Sequence, residues 1–139
     1  MIVIDASAAL YLLASADGLE PLASFDLAAP ALLWSEVTSV LNEMRWRGEA
    51  SEALAQSAFE RLLEAPITRR ADPELYAEAR RVARELGWKK TYDAEYVSLA
   101  RLLDTTLVTR DVRLRRGARR LVTVMGPDEV APPERSSSD

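Results

Sequence analysis

Two kinds of hydrophobic pattern alternate along this chain. Residues 1–4 (Met-Ile-Val-Ile), 106–109 (Thr-Leu-Val-Thr) and 121–125 (Leu-Val-Thr-Val-Met) are short apolar runs rich in β-branched side chains. Such runs fit strands covered on both faces, as in a parallel sheet. Leu27–Pro30 can add a minor strand.

The remaining segments carry a helical period. After Asp5, Ser7 can cap a helix over residues 8–14, and a short helical piece is expected over residues 19–25. Residues 32–47 place Leu33, Val37, Val40, Leu41 and Met44 on one face, and Gly48 ends the helix. Ser51 caps the next, whose stripe is Leu54, Ala58, Leu62 and Leu63, and Pro66 breaks it. So short a connection predicts an antiparallel helical hairpin. Asp72-Pro73 starts a further helix with Leu75, Ala79, Val82 and Leu86 aligned, stopped by Gly87. Residues 92–103 are apolar nearly all round, which predicts a buried helix. A short helix is expected in the arginine-rich stretch before residue 121.

Strands alternating with helices predict a single α/β domain, a mostly parallel twisted sheet flanked by helices in three layers. The domain is expected over residues 1–130, with a flexible tail over 131–139 marked by Pro132, Pro133 and three serines. Ligands of open parallel sheets bind beyond the carboxyl ends of the strands. Asp5 lies at that end of the first strand and Asp111 just past that end of the strand near 106–109, so two carboxylates can meet at one sheet edge.

Composition narrows the chemistry. The 139 residues contain no cysteine and no histidine. Disulfides, thiolate metal sites, a Ser-His-Asp triad and imidazole-assisted RNA cleavage are therefore excluded or disfavoured. Carboxylates remain as the tools for catalysis, and they suit hard ions such as Mg²⁺ or Mn²⁺. The net charge of −4 argues mildly against a nucleic-acid partner. Against that, Arg110, Arg113, Arg115, Arg116, Arg119 and Arg120 crowd one stretch, either a solvated face or a phosphate-binding rim. Residues 2–16 imitate a signal peptide but lack a basic start and carry Asp5 inside the apolar run. No stretch reaches the length needed to span a bilayer, so a soluble, cytoplasmic protein is expected, with no membrane partner.

Two further acids stand in apolar settings. Glu36 is surrounded by Leu32, Leu33, Val37 and Val40, and Asp93 opens the nearly all-apolar helix. A carboxylate beside a buried face costs several kcal/mol unless it is paired, protonated or bound to metal. Each acid has a plainer explanation: helix capping for Asp5, a first-turn acid for Glu36, a helix dipole for Asp93, an N-cap or turn for Asp111. With no cation evident in the segments of Asp5 and Glu36, a shared divalent ion is the simplest neutraliser.

These residues resemble the PIN domains, and among them the VapC-type toxin ribonucleases. Val3-Ile-Asp5-Ala-Ser7 resembles the family's opening, and Glu36-Val-x-x-Val40-Leu41 its second acidic motif. Thr91-Tyr-Asp93-Ala-x-Tyr-Val97-x-Leu-Ala100 resembles its third and Leu107-Val-Thr109-x-Asp111-x-x-Leu114 its fourth. The likeness runs from the start to about Met125. It implies a Mg²⁺- or Mn²⁺-dependent endoribonuclease, the toxin of a toxin–antitoxin pair, homodimeric and restrained by a cognate antitoxin.

The resemblance carries the catalytic and metal-ligating roles onto Asp5, Glu36, Asp93 and Asp111, and supporting roles onto Ser7 and Thr109. Many members place Asn three residues after the second acid. Here that position is Ser39, shorter and without an amide, and Glu43 beyond it is a further acid that can approach the cleft. Arg110, Arg113, Arg115 and Arg116, beside Asp111, are candidate RNA contacts.

Rival readings fit less well. A haloacid dehalogenase-type phosphatase wants a second Asp where Ser7 stands, and a receiver domain wants a late lysine, whereas none follows Lys90. A PIN-domain RNA-processing nuclease that is not a toxin, and a PIN-like binding module without catalysis, stay open.

Overall fold

In the computed structural model, which describes residues 1–130, Ile2–Ile4 forms β1 and Ala6–Leu13 forms α1. Leu27–Pro30 is β2, Leu32–Trp46 α2, Glu52–Glu64 α3 and Ile67–Arg70 β3. Pro73–Leu86 is α4, Tyr92–Leu102 α5, Leu107–Val108 β4, Val112–Ala118 α6 and Val124–Met125 β5. The tail predicted over 131–139 lies outside the described residues. Among those described, no helix is long and apolar enough to cross a membrane.

The strands lie in the order β3-β2-β1-β4-β5, and every neighbouring pair is parallel. From β1 the chain steps outward through β2 to β3, then returns across the sheet to β4 and outward again to β5. Crossovers between parallel strands are right-handed, so reversing the direction of winding moves the connecting helices to the other face. The helix contacts agree: α1, α2 and α3 pack together, while α4 packs against α5. The reversal falls between β1 and β4, the switch point at which open parallel sheets place their ligands.

Burial explains why these elements form. Val3, Ile4, Leu107 and Val108 are inaccessible to solvent, and α5 is buried from Ala94 through Ala100. This central helix packs against β1, β2 and β4, as its all-round apolarity predicts. Ser51 caps α3 by accepting from the Leu54 amide, and Gly87 closes α4 in the left-handed conformation at φ 71°.

Four expectations need correction. The cap of α1 is Asp5, whose carboxylate accepts from the Ala8 amide at 2.9 Å, and Ser7 sits inside the first turn. The piece expected over 19–25 is helical only as a 3₁₀ turn at Glu20–Leu22. The buried face of α3 is Ala55, Ala58 and Leu62, whereas Leu54 and Leu63 point to solvent. Finally, β3 has no counterpart among the predicted strands. Only Ile67 of its four residues is buried, so an edge strand ending in two arginines shows neither an apolar run nor alternation.

The Trp88 indole, just past α4, lies against α6 at Gly117. A Cβ on Gly117 would stand 2.6 Å from Trp88 Cζ2. Gly117→Ala is therefore expected to cost about 1–3 kcal/mol in urea unfolding. Combining it with Trp88→Leu should recover most of that loss; an unaffected Gly117→Ala midpoint would show that the contact yields freely.

Candidate active site

The switch point brings Asp5 and Thr109 together from positions 104 apart in the chain. β1 and β4 pair through Ile4 and Val108, and the Asp5 amide donates to the Val108 carbonyl at 3.1 Å. The next residue of each strand therefore emerges at the same edge. Asp5 Oδ1 accepts from the Ala8 amide and from Ser7 Oγ at 2.8 Å, and Oδ2 accepts from Thr109 Oγ1 at 2.5 Å.

Ser7 Oγ in turn accepts from the Arg110 amide at 2.9 Å, and Thr109 Oγ1 from the Asp111 amide at 3.0 Å. Ser7 Oγ and Thr109 Oγ1 lie 3.2 Å from each other, and each hydroxyl also reaches the Asp5 carboxylate. The Asp5 carboxyl is thereby held in place, in a residue only 4% exposed. Ser7 and Thr109, the hydroxyls expected to support the carboxylates, are both hydrogen-bonded to Asp5.

The other acids come from three separate elements. Glu36 lies in the second turn of α2, its Oε1 accepting from Tyr96 Oη at 2.9 Å. Asp93 is in the first turn of α5. Asp111 caps α6, accepting from the Arg113 and Leu114 amides at 2.9 and 3.1 Å. Asp5, Glu36, Asp93 and Asp111 all line one cavity of about 310 Å³, floored by Leu10, Val37, Val40 and Tyr96. Glu36, Asp93 and Asp111 also line a wider chamber outside it, of about 520 Å³. The capping explanations for Asp5 and Asp111 are correct as far as they go, because each residue both caps a helix and faces the cavity.

Electrostatics mark the pocket as short of positive charge. Burial raises the Asp5 carboxyl above the ordinary range, against its three hydrogen bonds, and the Asp111 charge raises it further. Burial likewise raises Glu36, with Asp93 and Asp5 adding to the shift and the Tyr96 hydroxyl opposing it. Asp93 is raised by partial desolvation and by Asp111, against the pull of Arg113. Burial, then the Glu36 charge, raises the Tyr96 phenol, which remains a donor throughout the physiological range.

The donors facing the cavity are oxygens, the set preferred by Mg²⁺ and Mn²⁺. Among the described residues, no three acids are close enough together to cage an ion unaided. Mg²⁺ keeps several waters and uses one or two carboxylates directly.

Sequence reasoning misses two residues here. Tyr96 reads as part of the apolar helix and as a named position of the third motif, with no role assigned, and Glu95 falls at an unassigned position of that motif. Glu95 is 8% exposed, and burial together with the Glu36 charge raises its carboxyl. A charged residue inside the run from Ala94 to Ala100 is the available signal. Ser39, conversely, is exposed, does not line the cavity and makes no hydrogen bond to Glu36 among the described residues; Tyr96 supplies that support. Glu43 is also exposed and away from the cavity.

The candidate arginines divide. Arg113 lines the outer chamber, while Arg110 lies over the Tyr11 ring, 3.9 Å from its centroid. Arg115 is paired with Glu129 through two hydrogen bonds. Arg116 is exposed.

Residues 2–120 match the model of the PIN domain family. The chain belongs to the PIN-domain family. Within that family its curated relatives are VapC proteins. It is 35% identical over 115 residues to Ribonuclease VapC9 of Mycobacterium tuberculosis, covering 82% of this chain and 88% of the relative. It is 37% identical over 122 residues to Ribonuclease VapC3 of the same organism, covering 83% and 85%. Among solved structures, PAE2754 from Pyrobaculum aerophilum superposes with a TM-score of 0.70 at 29% identity, covering 88% of this chain and 89% of that one. VapBC2 from Rickettsia felis, bound to a promoter DNA fragment, shares the fold at 15% identity with a TM-score of 0.64, covering 91% and 98%.

Proposed function

We propose that this chain is a Mg²⁺- or Mn²⁺-dependent endoribonuclease and the toxin of a toxin–antitoxin pair, acting in the cytoplasm as a homodimer. The observation that carries the reading is the convergence of Asp5, Glu36, Asp93 and Asp111, from four separate segments, on one cavity at the sheet's switch point. Two VapC relatives named as ribonucleases support the substrate. Structural neighbours that are toxin–antitoxin complexes support a protein antitoxin as partner.

Asp5, Glu36, Asp93 and Asp111 would hold the ion, and once bound it supplies a Lewis acid and a counter-charge for the scissile phosphate. Ser7 and Thr109 aim Asp5 and oppose the burial that raises its carboxyl, and Tyr96 does the same for Glu36. Hydrolysis forms a bond from a water oxygen to phosphorus and breaks the bond from phosphorus to the 3′ oxygen. The products carry a 5′-phosphate and a 3′-hydroxyl. Positioning and electrostatics take the place of imidazole.

The test is incubation of the full chain with a mixed single-stranded RNA pool, with chelator and with each ion restored. Cleavage with Mg²⁺ or Mn²⁺ and none with chelator is expected. Equal cleavage in chelator, or none with either ion, overturns the reading; the second result favours a PIN-like binding module. Growth arrest on expression, relieved by the protein encoded beside it, separates a toxin from an RNA-processing nuclease.

Tyr96→Phe removes the donor to Glu36 without emptying the core. It is expected to lower the cleavage rate roughly tenfold, the scale of losing a group that orients a metal ligand. A parallel shift in the ion concentration needed for half-maximal rate would accompany it, and an unchanged titration would show that Glu36 needs no such support.

A further inference from the structure

The chamber outside the carboxylates has a character of its own. Its walls are the segment from Gly87 to Asp93 and the start of α6, and it holds Trp88, Lys89, Lys90, Tyr92 and Arg113. Trp88 is half-buried against Gly117 and ties the two walls together. Tyr92 differs: its side chain adjoins Asp93 in the first turn of α5 and is 57% exposed. Its ring therefore stands largely in water at the chamber wall.

Among the described residues, none of Lys89, Lys90 and Arg113 forms a salt bridge, whereas Arg115 nearby is committed to Glu129. Three cations without a salt bridge and one exposed aromatic ring line a chamber that also holds Glu36, Asp93 and Asp111. Phosphates would be met by the cations, and a base face by the ring.

We infer that this chamber is a single-strand subsite, in which Tyr92 stacks on an unpaired base next to the cleavage position while Lys89, Lys90 and Arg113 hold the flanking phosphates. Stacking on an aromatic platform needs a base free of its partner and tolerates any base identity. A duplex presents its phosphates but keeps its base faces covered, so the same chamber discriminates against it. The inference rests on the ribonuclease reading only in naming RNA as the strand.

The experiment measures fluorescence anisotropy of a labelled single-stranded RNA of mixed sequence, and of its duplex, with the full chain in chelator so that no cleavage intervenes. Tyr92→Ala is expected to weaken single-strand binding roughly tenfold, within the range of one lost base stack. Tyr92→Phe, which keeps the ring, should stay within about twofold. Replacing Lys89 and Lys90 by Ala together should flatten the dependence of log affinity on log salt by about 1–2 units. Wild-type binding by Tyr92→Ala, equal losses in the Phe and Ala variants, or equal affinity for duplex and single strand would each overturn the inference. If the wild type cleaves RNA but Tyr92 proves irrelevant to binding, the subsite falls and the nuclease stands. Tyr92-dependent binding without cleavage at any ion concentration would instead uphold the subsite and remove the nuclease.

Discussion

Asp5→Asn is expected to lower RNA cleavage by roughly a thousandfold or more, the scale of removing a preorganised charge at a reacting centre, with the fold retained. Three hydrogen-bond donors converge on this carboxylate, and Asp111 adds unfavourable charge nearby. Asparagine keeps the shape, and its carbonyl can still accept from the Ala8 amide to cap α1. Its amide group would face the Ser7 and Thr109 oxygens, each of which can rotate its proton away and accept. The substitution therefore exchanges a buried anion for a neutral group that the surroundings can satisfy. Unfolding stability should change by no more than about 1 kcal/mol in either direction. Cleavage rate and denaturation midpoint, measured on one preparation, check both halves. A variant retaining more than a tenth of the wild-type rate would remove Asp5 from the reacting centre.

The second large effect couples protons, metal and stability. Asp5, Glu36 and Asp93 are all raised above the ordinary carboxylate range, each chiefly by burial. The folded chain therefore holds protons that the unfolded chain has released. For such groups the contribution to stability is fully present below the unfolded values, near 4, and is lost as pH rises through the folded ones. The metal-free protein is expected to be relatively favoured by mild acid and to lose this contribution towards neutral pH. A divalent ion works in the other direction, because it competes with protons for the same oxygens. At neutral pH, Mn²⁺ at a hundred times its dissociation constant should stabilise the fold by about 2.7 kcal/mol. That gain should shrink steadily as the pH falls through the raised carboxyl values. Thermal melts at acid and neutral pH, with Mn²⁺ and with chelator, give the four numbers needed. A shift equal at both pH values, or absent at neutral pH, would mean that the cavity binds no ion through these groups.

Much of this is legible in the sequence because the relevant signals are local. The apolar runs around Val3 and Val108 announce central strands, and Asp5 and Asp111 follow them closely enough to be placed at one edge. The all-apolar α5 declares its own burial. Signals that depend on partners are harder to read. Ile67–Arg70 becomes a strand because β2 offers it a ladder, and only Ile67 hints at it. Tyr96 looks like a core residue, and it is one; its hydroxyl acquires a role only because α2 brings Glu36 within reach. Helical spacing places Ser39 near Glu36, yet a shared helix face does not reach the cavity when the side chain is short and turned outward. Arg113 and Arg115 are two residues apart on a helix and face different surroundings, one the chamber and the other Glu129.

The interlocked hydroxyls at the switch point also bear on when activity can arise during synthesis. A nascent chain reaching only Val108 already contains Asp5, Glu36 and Asp93, but it lacks Thr109, the two amides that lock Ser7 and Thr109, and the last acid. Its most buried carboxylate would stand without half of its scaffold. On the proposed reading, competence waits for a late stretch of polypeptide to dock beside the earliest one.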